Sequence, residues 1–161
     1  MKAAWYERQG PAHAVLTVGE MPDPIAGPGE VRIRVRVSGI NPGDIKKRAG
    51  WLGSRLPYPR VIPHSDGAGE IDQVGPGVDP ARQGERVWCY GAQSYRPFGT
   101  AAQYVVVPAA QAVRLPDAVG FELGACMGIP GITRFALPEI AAAHQAIESR
   151  SVVGRVILEL S

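Results

Sequence analysis

The residue types that could do chemistry are concentrated in one stretch, Ser38–Gly69. It holds an Asn, two Asps, a His, a Trp and a Tyr, and it lies between two segments that have the pattern of strands. Polar side chains of these types can hydrogen-bond a ligand, and aromatic side chains can wall a slot for a flat apolar ring. We therefore expect one wall of a functional site here.

The chain lacks the glycine patterns that hold phosphate groups. A dinucleotide fingerprint, G-x-G-x-x-G, must follow a strand and open a helix so that backbone amides meet the pyrophosphate. The closest string, Gly67–Asp72, lacks the third glycine and opens a predicted strand. The string GIPGIT fits no better, and no P-loop ending in Gly-Lys-Ser/Thr occurs. The residues alone do not predict the usual site for a nicotinamide dinucleotide.

Metal and nucleophile chemistry are also poorly supported. A structural zinc site needs about four closely spaced Cys or His ligands. The two cysteines, Cys89 and Cys126, are far apart, and the three histidines lie in unrelated contexts. No serine lies in a G-x-S-x-G elbow. Neither structural zinc nor Ser-His-Asp catalysis is predicted.

The strand before this stretch has the clearest pattern in the chain. In Glu30–Ile40, apolar residues alternate with Arg32, Arg34 and Arg36, as expected of a half-buried strand. The arginines are the nearest feature to a basic patch, but a formal net charge of +2 is too small to indicate nucleic-acid binding. We interpret them as a solvated face and predict no nucleic-acid partner.

A short helix is predicted directly after that strand. Asn41 is a favoured N-cap, Pro42 suits the first helical position, and Asp44 lies where the helix dipole stabilises a carboxylate. Gly50 supplies the usual C-terminal stop. An irregular loop with three prolines, Leu52–Pro63, follows.

Composition indicates a mainly β domain with a few helices. The 161 residues fit one domain, and the 20 glycines and 15 prolines favour many turns and short elements. No apolar run is long enough to span a bilayer, the N-terminus lacks the apolar core of a signal peptide, and two unpaired cysteines fit a reducing cytoplasm. Further strands are predicted at Lys2–Glu7, Val15–Glu20, Gly67–Val74, Glu85–Tyr90, Ala101–Val107, Gln111–Leu115 and Val152–Leu160, and further helices at Phe121–Met127 and Pro138–Arg150.

The ordered motifs resemble one protein family. They are PGEVRIRV, SGINPGD and KRAG, then PHSDGAGEIDQVGPGV, GERVW, GTAAQYVVVP and LPD. Together they resemble the catalytic, GroES-like domain of the medium-chain dehydrogenases/reductases. The resemblance is to the zinc-independent, zeta-crystallin-like quinone oxidoreductases and runs from Met1 to about Thr133. It implies a GroES-like, partly open β-barrel.

The resemblance then resumes in RFALPEIAAAHQAIESRSVVGRVILEL, which is similar to the closing helix and strand of that family. It implies that the Rossmann cofactor domain of the family is missing between Thr133 and Arg134, by engineered or natural deletion. One discontinuous GroES-like domain would remain, with residues 1–133 joined directly to 134–161. Loss of the cofactor domain would bare apolar surface around Phe121–Phe135 and could drive self-association.

Position by position, the resemblance also implies that no zinc is bound. In the zinc-dependent members a Cys ligand occupies the place of Asn41, and a His-Glu pair occupies the place of Ser65 and Asp66. The remaining ligand position falls near Cys126. One thiolate does not make a catalytic zinc site, which needs three protein ligands.

The resemblance suggests roles for individual residues, each with a structural alternative. Asn41 would approach the nicotinamide ribose, or serve only as the helix N-cap. Gly131 and Thr133 would approach the nicotinamide in the intact enzyme. The candidate substrate wall, whose members could equally be helix-surface, core-covering or turn residues, consists of Lys46, Trp51, Tyr58, His64 and Tyr90. Lys46 stands where some relatives have a Tyr, and we favour an exposed helix Lys there.

The implied activity of the family is hydride transfer from NADPH to a quinone or an activated enone. For this chain we expect very weak NADPH binding and negligible turnover, because the residues that hold the dinucleotide are missing. The alternative is a β-barrel binding or scaffold module without catalysis. The specific substrate and the oligomeric state do not follow from the sequence.

Overall fold

The computed structural model describes residues 1–94, 96–128, 132–136, 141–142 and 155–159. The chain divides into two compact units, Met1–Gly128 and Ile129–Ser161. The strands of the first unit are β1 (Lys2–Trp5), β2 (Thr17–Glu20), β3 (Glu30–Gly39), β4 (Asp66–Val74), β5 (Arg86–Cys89), β6 (Tyr104–Pro108) and β7 (Ala112–Arg114). Its helices are α1 (Ala12–Val15), α2 (Pro42–Ala49) and α3 (Phe121–Gly124), with short 3₁₀ turns at Trp51–Gly53, Pro80–Arg82 and Ala109–Gln111.

The first unit is organised around a five-stranded antiparallel sheet in the order β6-β3-β4-β5-β7. A separate antiparallel pair is formed by β1 and β2. The main core lies against the five-stranded sheet, because its strands contribute most of the fully buried side chains. These are Val31, Ile33, Ile71, Val87, Cys89, Ala92, Val105, Val107 and Ala112.

Strand β3 confirms the predicted alternation over its first half. Val31 and Ile33 are fully buried, while Arg32 reaches Asp72 with two hydrogen bonds of 3.0 and 2.8 Å. Beyond Val35 the pairing with β4 shifts register, and the alternation of buried and exposed residues fades there. A bulge of this kind is not encoded in a hydrophobic pattern.

Helix α2 also forms where its sequence signals place it. Asn41 is the N-cap, and the Asp44 carboxylate accepts a hydrogen bond of 2.8 Å from the Asn41 backbone N–H. Gly50 ends the helix with a φ of 73°, in the left-handed region that favours glycine.

The other elements are mostly shorter than the sequence predicts. Strand β1 ends at Trp5, and helix α3 ends at Gly124. Helix α1 was not predicted, because a single turn is too short to show helical periodicity.

The second unit contains two strands, β8 (Ile132–Ala136) and β9 (Arg155–Glu159), which pair in parallel. The junction of Thr133 with Arg134 lies inside β8, where these residues pair with Val156 and Ile157. The predicted closing helix, Pro138–Arg150, falls almost wholly outside the described residues.

The mainly β fold class with a few helices, a curled and partly open barrel, is confirmed. No helix in the described part of the chain is long and apolar enough to cross a membrane.

Candidate functional site

A buried polar network lies where strand β3, helix α2 and strand β4 meet. The side-chain amide of Asn41 donates a hydrogen bond of 2.8 Å to the carboxylate of Asp66. Asp66 is 1% exposed and Asn41 is 9% exposed. The helix cap fixes the first residue and strand β4 the second, so two segments far apart in sequence position this pair.

Two hydroxyl groups and one imidazole extend the network. The Thr100 hydroxyl donates to the Asp66 backbone carbonyl at 2.6 Å and lies 2.8 Å from the Ser38 hydroxyl. Ser38 in turn hydrogen-bonds His64 Nδ1 at 2.9 Å, with the donor set by the tautomer of the imidazole. Side chains from three separate parts of the sequence therefore share one connected set of hydrogen bonds.

His64 is the member of this network that carries an imidazole. Burial lowers the pKa of His64, and the nearby Asp44 carboxylate opposes that shift. Its backbone has a φ of 76°, which is rare for a residue other than glycine, asparagine or aspartate. The hydrogen bond between its ring and Ser38, and the one that its carbonyl accepts from the Thr100 backbone N–H, hold the residue in this strained conformation.

Ser65 and Cys126, which the resemblance places at metal-ligand positions, have different environments. Ser65 is fully buried, and its hydroxyl has no hydrogen-bond partner among the described residues. Cys126 is a free, exposed thiol. Within the described ranges no three His, Cys, Asp or Glu side chains are grouped as metal ligands would be. Around Asn41, the polar groups are its own amide, the carboxylates of Asp44 and Asp66, the hydroxyls of Ser38 and Thr100, and the His64 imidazole.

The predicted substrate wall divides into separate places. Lys46 Nζ lies 4.3 Å from the centre of the Trp51 ring, a cation–π contact on the exposed side of α2. Tyr58 instead packs beside Tyr6 and lines a cavity that Trp51 does not line. The structure thus brings Lys46 and Trp51 together, and places Tyr58 elsewhere.

The remaining candidates are Tyr90, Gly131 and Thr133. Tyr90 packs against Trp88, with the ring centres 5.8 Å apart, and is partly exposed. Gly131 lies outside the described residues, and the backbone of Thr133 forms part of β8.

Sequence reasoning missed Ser38 and Thr100 as members of the network. Thr100 adjoins His64 and Asp66 because its backbone N–H donates to the His64 carbonyl at 3.0 Å. No local sequence signal marks such a long-range pairing.

Comparison with known proteins connects the sequence and fold of this chain with a family. The sequence profile of the alcohol dehydrogenase GroES-like domain matches residues 27–117. The chain is 38% identical over 112 residues to the synaptic vesicle membrane protein VAT-1 homolog of Rattus norvegicus, covering 70% of the chain and 26% of that protein. It is 37% identical over 112 residues to a quinone oxidoreductase of Mus musculus, covering 68% of the chain and 32% of that protein.

A solved mycobacterial protein in complex with NADPH has the same fold, with a TM-score of 0.69 and 26% identity, over 92% of this chain and 41% of that protein. The chain spans about a quarter to a third of the curated relatives described above. The chain belongs to the alcohol dehydrogenase GroES-like domain family, and the relatives that it matches include quinone oxidoreductases.

Proposed function

We propose that this chain is the substrate-side domain of a zinc-independent, NADPH-dependent quinone or enone oxidoreductase, without turnover as 161 residues alone. The observation that carries the proposal is the hydrogen bond between Asn41 and Asp66. In the zinc-dependent members, the place of Asn41 holds a Cys ligand, and the place of Asp66 belongs to the His-Glu pair. An amide–carboxylate pair there favours a site that works by hydrogen bonding instead of by a Lewis-acidic metal.

Asn41 is the proposed contact to the nicotinamide ribose region of a bound cofactor. Its amide is fixed by Asp66, and its backbone is fixed by Asp44 at the start of α2. A residue whose backbone and side chain are both fixed in this way is pre-organised, so little conformational entropy is lost when it meets a ligand.

NADPH would supply the hydride when bound, but the described residues do not fit it by themselves. The glycine string nearest to a dinucleotide fingerprint, Gly67–Asp72, lies inside strand β4. A Cβ at Gly69 would lie 2.0 Å from the Arg34 carbonyl oxygen, so this glycine serves close strand packing and not a phosphate cradle. We therefore assign no hydride-transfer step to this chain, and propose that a dinucleotide-binding domain, absent between residues 133 and 134, would provide the cofactor.

We keep all five candidate residues as the proposed substrate wall. They lie in the separate places described above. The Lys46–Trp51 pair and the partly exposed Tyr90 would edge the cleft, and His64 would reach it through the buried network. Gly131 and Thr133 are proposed to approach the nicotinamide only in an enzyme that has the cofactor domain.

Two further properties are proposed for the chain. The free thiols Cys89 and Cys126 fit a reducing compartment such as the cytoplasm. Leu123 and Met127 are exposed apolar residues close to the proposed contact with a cofactor domain. We therefore expect concentration-dependent self-association, which sedimentation velocity measures; a monomer at all concentrations would contradict it.

A non-catalytic β-barrel binding or scaffold module is the second candidate function, and separate titrations with a quinone and with NADPH distinguish the two. Saturable binding of the quinone supports a substrate pocket. Binding of neither compound supports the scaffold. Because Asn41 is proposed to contact the cofactor and not the quinone, Asn41→Ala should not weaken quinone binding under conditions where circular dichroism shows that the variant is folded.

A further inference from the structure

A cavity of about 430 Å³ lies on the first unit, between the end of β1, the outer side of α2, the loop after it and the turn after β5. Among the described lining residues, Tyr58 is the one that is also a candidate for the substrate wall. The lining residues are Tyr6, Gln9, Lys47, Ser54, Arg55, Leu56, Pro57, Tyr58, Gln93 and Ser94. Its volume is within the range of pockets that hold small organic ligands.

The charged side chains in the described lining of this cavity are both cationic. Lys47 and Arg55 line it, and no carboxylate lines it within the part of the chain that the structure describes. The Lys47 ammonium donates to the Gln93 side-chain oxygen at 2.8 Å, a neutral partner that positions the ammonium without cancelling its charge. In the part of the chain that the structure describes, Arg55 forms neither an ion pair nor a hydrogen bond. Two cations without a lining counter-charge favour an anionic ligand.

The polar groups around Lys47 are held in place. The Gln93 amide is oriented from its other end, where it donates to the Arg96 carbonyl at 3.2 Å. The Gln9 amide donates to the Lys47 backbone carbonyl at 2.8 Å. Fixed side chains lose little freedom on binding, which is the property of a formed pocket.

The rest of the lining is apolar or aromatic. Leu56 and Tyr58 pack with Tyr6 in one small core cluster, and Pro57 adds a further apolar wall. Burial raises the pKa of Tyr6, and the nearby Asp44 adds to this, so its phenol stays protonated as a hydrogen-bond donor. A flat ring fits such walls, because aromatic and aliphatic faces pack against it without losing hydrogen bonds.

We propose that this cavity binds a small aromatic carboxylate, with the carboxylate toward Lys47 and Arg55 and the ring against Tyr58 and Leu56. The inference does not rest on the proposed oxidoreductase function. A chain that binds no quinone could still bind such an acid, and the reverse also holds.

The test compares 2-naphthoate with its neutral analogue 2-naphthamide, each titrated by calorimetry into the 161-residue chain at low salt. We expect the acid to bind about tenfold more tightly than the amide, since charge-assisted hydrogen bonds are formed only by the acid. Equal affinities, or no binding of the acid at millimolar concentration, would overturn the proposal.

Charge-removing variants then locate the site. Lys47→Gln and Arg55→Gln should each weaken 2-naphthoate binding by about fivefold to tenfold and leave the naphthamide unchanged. Arg34→Gln is the matched control, because Arg34 is exposed on β3 and does not line the cavity. An equal loss in Arg34→Gln would place the binding elsewhere and overturn the proposal. Circular dichroism checks folding, and the acid–amide comparison on the unmodified chain decides if a variant does not fold.

Discussion

The side-chain amide of Asn41 and the carboxylate of Asp66 are joined by a hydrogen bond of 2.8 Å in a buried part of the first unit. The bond connects the cap of helix α2 with the first residue of strand β4. One contact therefore holds two elements together and also orients the residue that we propose as the cofactor-facing group.

Removal of this contact should destabilise the chain. Asn41→Ala removes both the hydrogen bond to Asp66 and a favoured N-cap residue, and we expect a loss of about 2–4 kcal/mol in the free energy of unfolding. Urea denaturation measures it. A loss below about 0.5 kcal/mol would mean that the bond contributes little to folding.

Ser65→Ala provides the matched control in the same buried region. The Ser65 hydroxyl has no hydrogen-bond partner among the described residues. Its removal therefore deletes a buried polar group whose desolvation is not offset by a hydrogen bond to a described residue. We expect a change between zero and about 1 kcal/mol in the stabilising direction. A destabilisation as large as that of Asn41→Ala would show that Ser65 has a partner of its own.

The stability of the chain should depend on His64 as the pH falls. Burial lowers the pKa of His64 from its usual 6.5, so the unfolded chain takes up the proton first. Stability is therefore full above about pH 6.5 and decreases as the pH falls below it. In urea denaturation between pH 8 and pH 5.5, His64→Asn should remove this part of the slope.

His13→Asn is the control for that series, because His13 is exposed. It should leave the pH dependence of stability unchanged. Asn is chosen at position 64 because it tolerates a positive φ better than most residues. The same slope in wild type and His64→Asn would rule out His64 as its source.

Two glycine variants test the close approach of strands β3 and β4. A Cβ at Gly69 would lie 2.0 Å from the Arg34 carbonyl oxygen, so Gly69→Ala should cost more than about 3 kcal/mol or prevent folding. Gly43 in helix α2 has no neighbouring atom within 4 Å of the corresponding Cβ. Gly43→Ala should instead stabilise by about 0.5–1 kcal/mol. Thermal denaturation compares the two, and equal effects would contradict the described strand pairing.

The two cysteines should differ sharply in reactivity. Cys126 is exposed, whereas burial raises the pKa of Cys89 to about 12 and leaves almost no thiolate at neutral pH. A thiol reagent such as Ellman's reagent should label Cys126 in the folded chain and Cys89 only after unfolding. Cys126→Ser provides the control, since it should abolish fast labelling. Fast labelling of both thiols would contradict the burial of strand β5.

Local patterns in the sequence predict β3 and α2 well because each is determined by its own residues. The alternation in Glu30–Ile40 requires a half-buried strand, and the Asn41 cap with Gly50 sets both ends of the helix. The family resemblance, carried by motifs spread over the first unit, supplied the fold class.

The arrangement of the site residues was harder to predict, because it depends on pairings between distant segments. Thr100 and Ser38 join His64 only after their strands are assembled. Trp51 and Tyr58 belong to one short segment of the chain, but Leu52 has a positive φ of 53° and the chain turns between them. No hydrophobic periodicity in the sequence predicts such a turn at a leucine.

The most direct measurement of the central claim is NADPH oxidation by the purified 161-residue chain with 9,10-phenanthrenequinone, followed at 340 nm with heat-denatured protein as the blank. Since the described residues do not fit NADPH, we predict a rate equal to the blank. Turnover of about 1 s⁻¹ or faster, which is ordinary for an enzyme, would contradict the assignment of this chain as a substrate-side domain that needs another domain for its cofactor.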